Sequence, residues 1–174
     1  MENYFHGKSS GLDATVCYLH KAVLLNKGEV VKTFDLPESE KPKLKLFLLN
    51  THAVRSTSTY VNLFLEKCKD KKFREIIERI LVPATNIAIE SFIDKKDVEL
   101  MSCVKLISQL QFDLLPEFIP ERFKSVWREG LRNNEYHLKI CGAGGGGFII
   151  GFAKEDVRLD LLLDRNDVIE LLKF

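Results

Sequence analysis

The 174 residues suffice for one domain with a real hydrophobic core, and 45% apolar with 29% charged residues is an ordinary globular composition that excludes disordered, collagen-like and fibrous classes. Basic and acidic residues number 26 and 25, a formal net charge of +1, so no global field draws the chain to nucleic acid or an anionic membrane, and neither is expected as a partner.

In chain order, Ala22–Leu25 and Val30–Phe34 flank Asn26-Lys27-Gly28-Glu29, a glycine-containing connection of hairpin length, and predict two paired strands. The polar stretch from Pro37 to Pro42 reads as a surface loop. Leu44 to Leu49 ends in a continuous apolar run, as in a strand buried on both faces. The period then changes. Phe73, Ile76, Ile77, Ile80, Leu81, Ala84, Ile87, Ala88 and Phe92 recur at helical steps, with Pro83 predicting a kink or a break. Val98, Met101, Val104, Ile107 and Leu110 predict a second amphipathic helix. Pro120 to Arg132 predicts a third, with Phe123, Val126, Trp127 and Leu131 inward.

Strand character returns at Tyr136–Cys141 and Phe148–Ala153, joined by a glycine cluster, and the tail predicts a short helix and a closing strand near Val168–Leu172. Strands, then helices, then strands indicate an α+β fold: one domain over residues 1–174, a mainly antiparallel sheet with helices on one face.

Cys17, Cys68, Cys103 and Cys141 are widely spaced, with no C-x-x-C pair and no zinc-ligand spacing, so reduced thiols and no metal site are expected. The start has neither the basic nor the apolar region of a signal peptide, and no apolar run approaches bilayer-spanning length. These readings predict a soluble, cytoplasmic protein.

Two segments stand out chemically. In His6-Gly7-Lys8-Ser9-Ser10-Gly11-Leu12-Asp13, Ser10 and Asp13 have the spacing of a capping box. A carboxylate in a first helical turn is held ionised by backbone N–H groups and the helix dipole, and can take a proton from a substrate hydroxyl during phosphoryl transfer. The bland alternative is that the two residues only cap a helix. The second segment runs from Lys139 to Phe148, with five glycines in the six residues Gly142 to Gly147. Glycine admits positive φ and close approach, and successive N–H groups can form an anion nest. Five glycines between strands are costly for a mere turn. No Lys-Ser or Lys-Thr follows them and no helix opens after them, so the loop is neither a P-loop nor a dinucleotide fingerprint.

Together the two segments resemble the GHMP kinase superfamily, and within it the mevalonate kinase family. His6 to Asp13 is similar to the family's second motif, whose aspartate is the proposed base. Lys139 to Gly147 is similar to its third, the glycine-rich loop behind the nucleotide-phosphate site. Leu48-Leu49-Asn50-Thr51 resembles the apolar strand ending in Asn-Thr. Lys8 and Ser9 stand where these kinases often have Asn and Pro, and Cys141 where Thr is common. The first motif, Pro-x-x-x-Gly-Leu-Gly-Ser-Ser, occurs nowhere in the 174 residues.

The resemblance is therefore to the C-terminal half of such a kinase, with a ferredoxin-like fold. It implies a transferase that passes the γ-phosphoryl of ATP to the hydroxyl of a small alcohol. Asp13 would be catalytic, and Gly142, Ala143, Gly144, Gly145, Gly146 and Gly147 would support the phosphate site. His6, Ser9, Ser10, Asn50 and Thr51 would contact substrate. ATP and Mg²⁺ are the implied cofactors, with most of their ligands on an N-terminal half, carried by another chain or by sequence outside these residues, and no metal ligand in this chain. A homodimer is compatible with this reading. The alternative function is a non-catalytic α+β module that binds an anionic metabolite or a partner chain. Arg55, Ser56, Thr57 and Ser58 either line the acceptor pocket or begin a helix.

Overall fold

A computed structural model describes residues 18–19, 21–26, 29–36, 39–54, 57–162, 164 and 166–174. The chain divides into two units, Met1–Glu38 and Ser39–Phe174. In the first, β1 (Ala22–Asn26) pairs antiparallel with β2 (Glu29–Phe34) as the sequence predicts, with a register shift between Leu24 and Leu25. The glycine connection expected between them, at residues 27 and 28, lies outside the described residues.

The second unit contains a four-stranded sheet. Its strands are β3 (Leu44–Asn50), β4 (Tyr136–Ile140), β5 (Phe148–Lys154) and β6 (Val168–Lys173), in the order β4-β5-β3-β6 and antiparallel throughout. The helices are α1 (Thr57–Lys67), α2 (Lys71–Ile76), α3 (Val82–Ile93), α4 (Asp97–Leu114), α5 (Glu121–Asn133) and the short α6 (Leu159–Leu162). This is the expected α+β architecture, an antiparallel sheet with helices packed against it.

Alternation along the strands sorts the core into two clusters. Phe47, Leu49, Leu138, Ile140, Ile149 and Ala153 join Phe118, Phe123 and Trp127 in the larger one. Leu44 and Phe174, with Leu46, Phe152 and Leu172 against them, join Ala84, Ala88, Leu100, Val104 and Ile107 in the other. The interior strand β3 thus has Phe47 and Leu49 fully buried while Leu46 and Leu48 are half-buried, close to the two-sided burial that its apolar run predicts.

Pro83 breaks the helix in a particular way. Between α2 and α3 the chain makes a π-helical turn, Ile77–Leu81, in which the Val82 N–H donates back to the Ile77 carbonyl. Proline has no N–H and its ring crowds the carbonyl four residues back, so a widened turn followed by proline in the first turn of the next helix leaves no donor missing. Ile80 and Ile87, expected inward, are exposed, while Leu81, Ala84, Ala88 and Phe92 meet the core as expected.

The buried face of α4 is the predicted one, with Val104 and Ile107 buried and Met101 packed against the core, and it takes in polar residues while losing Val98 at its edge. Leu100, Val104, Ile107, Ser108 and Gln111 are its buried residues, whereas Val98 is 84% exposed. Two polar groups on that face are satisfied by distant partners. The Ser108 carbonyl accepts from Trp127 Nε1 at 3.3 Å, and Gln111 Oε1 accepts from the Ile140 N–H at 2.8 Å on the outer edge of β4. Helix α5 follows its prediction to within a residue at each end, with Phe123 and Trp127 buried. It ends at Asn134 in the left-handed conformation (φ 59°), whose N–H donates to Gly130. Gly130 itself lets α5 meet β4, because a Cβ there would stand 2.6 Å from the Tyr136 carbonyl.

Among the described residues no helix is long and apolar enough to cross a membrane.

Candidate functional site

The β4–β5 connection is the glycine cluster, and its geometry accounts for its composition. Gly142, Gly144, Gly145 and Gly147 have φ of 68°, 78°, 74° and 69°, conformations that side-chain-bearing residues rarely adopt. Two of the loop's glycines also sit where a Cβ has no room, at Gly145 because it would run into the Tyr60 ring and at Gly146 because it would come 2.6 Å from the Ala53 carbonyl oxygen, and at Gly144 the fit would be tight, 3.0 Å from Phe118 Cβ.

The loop is also tied by its backbone. The Gly145 N–H donates to the Phe118 carbonyl at 2.7 Å, and the Gly147 N–H to the Ala53 carbonyl at 3.1 Å. In return the Gly147 carbonyl accepts from both the N–H and the hydroxyl of Thr51, each at 2.8 Å. These bonds carry the β3–β5 ladder past its last pair, Asn50–Phe148, into residues 51–53.

Of the residues expected to touch substrate, Asn50 and Thr51 therefore lie against the glycine loop, but their polar atoms serve the chain itself. Asn50 Oδ1 accepts from the His52 N–H at 2.9 Å, an Asx-type turn, and Thr51 is 4% exposed. Asp13, His6, Ser9 and Ser10 lie outside the described residues, as do Arg55 and Ser56. Thr57 and Ser58 open α1, the helix-start alternative for that segment.

Other residues at this end escaped sequence reasoning. Tyr60 covers Gly145 and stacks obliquely on Phe118, their ring centroids 5.4 Å apart. Neither residue stands in a motif, and their meeting depends on the path of α1 and of the 3₁₀ turn Pro116–Phe118. Beside the loop, Asp167 takes His52 Nε2 at 2.8 Å on one carboxylate oxygen and the Arg122 guanidinium at 3.3 Å on the other, while Arg122 also donates to the Asn50 carbonyl. His52 holds φ 49°, an uncommon conformation for a histidine. A cavity of about 290 Å³ adjoins the loop, walled by Tyr60, Phe64, Leu115, Phe118 and Ile140 with Gly142 and Ala143 at one side.

Lys139, directly before the loop, is largely withdrawn from water. Burial holds its ammonium below the ordinary lysine range, and its Nζ donates to the Ile140 carbonyl at 3.1 Å. Among the described residues no group of three or more His, Cys, Asp or Glu side chains converges to hold a metal ion. The Gly145 and Gly147 N–H groups are committed to protein carbonyls and so are not free to contribute to an anion nest.

No family model matches the chain. Mevalonate kinase of Dictyostelium discoideum is 27% identical over 174 aligned residues, taking in 92% of this chain and 42% of the relative. A mevalonate kinase of Gibberella zeae is 28% identical over 183, taking in 97% of this chain and 35% of the relative. Among solved structures, L. major mevalonate kinase in complex with R-mevalonate shares the fold with a TM-score of 0.68 at 19% identity, over 92% of this chain and 49% of that one. The chain thus spans well under half the length of the curated relatives it matches. In sequence and in fold, it is similar to the C-terminal half of a GHMP-superfamily kinase, the superfamily that includes the mevalonate kinases.

Proposed function

We propose that the chain supplies the C-terminal half of a cytoplasmic ATP-dependent kinase that phosphorylates the hydroxyl of a small alcohol. The observation that carries this reading is the glycine loop, fixed from three sides by residues 51–53, Tyr60 and Phe118, in a chain whose relatives are mevalonate kinases. Asp13 is the proposed base. It orients the acceptor hydroxyl and takes its proton as the phosphoryl group is transferred. Gly142, Ala143, Gly144, Gly145, Gly146 and Gly147 form a rigid backbone wall that a phosphate-bearing ligand can approach closely because no side chain projects from its glycines. Asn50 and Thr51 hold that wall in place. ATP supplies the phosphoryl group and Mg²⁺ neutralises its charge; most of their ligands belong to an N-terminal half that carries the Pro-x-x-x-Gly-Leu-Gly-Ser-Ser motif.

Phosphoryl transfer rests on positioning and charge stabilisation, so the 174-residue chain is expected to be inactive alone. The test is an assay with mevalonate and several sugar alcohols, with and without a co-expressed N-terminal half. Turnover only in the combination supports the reading. In the active combination, Asp13→Asn is expected to lower kcat by about 10²–10⁴, and near-normal turnover in that variant would remove Asp13 from the mechanism.

A further inference from the structure

The opposite end of the sheet holds a second cavity that the kinase reading does not use. It measures about 740 Å³, within the range that binds small organic ligands. The register places it far from the glycine loop. His137 and Lys154 belong to the end of the β4–β5 pair at which Tyr136 meets Ala153, whereas the loop leaves the end at which Ile140 meets Ile149. Its apolar wall comes from Pro42, Leu44, Val98 and Met101, the last two on the first turns of α4, where Val98 is exposed and Met101 partly buried.

The polar side of the cavity is unbalanced. His137 lines it and is 3% exposed, and its Nδ1 meets no hydrogen-bond partner among the described residues. Burial, then the nearby charges of Lys105 and Lys154, push its pKa down to about 4, so at neutral pH the ring is uncharged with one N–H donor and one acceptor nitrogen. Lys105 and Lys154 form no ion pair among the described residues, and both line the cavity. Of the acids there, Asp97 is engaged with Lys43 at 3.9 Å and Glu155 with Lys173 at 2.7 Å, leaving exposed Asp156 as the acid that opposes the two lysines.

We propose that this cavity binds a small amphipathic anion, its carboxylate or phosphate head between Lys105, Lys154 and the His137 imidazole and its short aliphatic body along Leu44, Val98 and Met101. Two lysine ammonium groups supply charge-assisted donors, and the uncharged His137 ring lines the wall beside them. The site is separate from the proposed phosphate wall and stands or falls independently of the kinase reading.

The full chain is titrated with hexanoate and with hexyl phosphate, with hexanol and inorganic phosphate as the tail-only and head-only controls. The imidazole resonances of His137 and His52 are followed by NMR, His52 reporting on the glycine-loop end. The proposal expects a saturable shift of His137 at about millimolar concentration with one or both amphipathic anions, weaker effects from each control, and an unmoved His52. Replacing both exposed lysines, Lys105→Ala with Lys154→Ala, is expected to weaken binding at least about tenfold without changing the thermal midpoint by more than a few degrees. An unmoved His137, equal binding of hexanol, undiminished affinity in the double variant, or a shift of His52 alone overturns it.

Discussion

The two ends of the β4–β5 pair are built on opposite terms. At the Ile140–Ile149 end, backbone and aromatic rings approach so closely that Gly145 and Gly146 have no room for a methyl group, and the loop's N–H groups at Gly145 and Gly147 are spent on protein carbonyls. At the Tyr136–Ala153 end, the same strands border a cavity and leave a buried imidazole nitrogen without a partner among the described residues. One end is held in a single shape by packing, and the other keeps both space and unmet hydrogen-bonding capacity. The difference teaches that a glycine-rich segment need not be a flexible one, and that the open site lies where the sequence shows no motif.

The largest expected effect comes from acid at the open end. In the unfolded chain, His137 takes up its proton near the ordinary histidine value of 6.5, and in the fold only near 4. Between those values the unfolded state binds more protons, so stability is full above about pH 6.5 and falls as pH drops towards about 4, by about 3 kcal/mol in total. Urea unfolding across that window measures it, and His137→Leu should flatten that part of the profile. A profile unchanged in the variant would show that His137 is not what sets this slope.

At the closed end, Gly146→Ala drives a methyl group against the Ala53 carbonyl, a backbone atom that cannot swing aside, and is expected to cost about 1–3 kcal/mol. Gly145→Ala meets the Tyr60 ring and also strains φ. Adding Tyr60→Ala should return only the steric part, and a double-mutant cycle by chemical denaturation separates the two. If the single Gly146 variant is as stable as the parent, the closed end is looser than the comparison holds. A middling effect is expected along the β4 edge, where Gln111→Leu strands the Ile140 N–H and should cost about 1–2 kcal/mol in the same measurement. The smallest is Arg122→Ala, which removes an exposed guanidinium from Asp167 and Asn50 and should cost about 1 kcal/mol or less, fading with added salt.

How much of this was legible in the sequence depended on how local each cause is. The strands around the glycines, the hairpin of β1 and β2, helix α5 and the closing strand follow from periodicity and glycine placement, which act over a few residues. The core faces of α3 and α4 follow in the main as well, through Ala84, Ala88 and Phe92 and through Met101, Val104 and Ile107. Periodicity does not show the π turn that accommodates Pro83, the exposure of Ile87 and Val98, or the hydrogen bonds that Trp127 makes to the Ser108 carbonyl and Ile140 to Gln111. At the candidate site the glycines were visible as a cluster, but not what fills the space beside them. Tyr60 and Phe118 are 58 residues apart in sequence and meet only in the fold. His137 looked unremarkable because a lone histidine within a strand carries no partner pattern. Only its burial and its place on the cavity wall distinguish it.

The contact between Gly146 and the Ala53 carbonyl has a consequence for anyone building chimeras with similar chains. Because the loop and residues 51–53 touch backbone to backbone and exchange hydrogen bonds in both directions, neither can be transplanted into a related scaffold on its own. A graft that carries residues 141–148 but leaves the host's counterpart of 50–53 would join two halves of a mould cast from different originals. The natural unit of exchange is therefore a discontinuous one, the strand end and the loop together, with the tyrosine that lies across them.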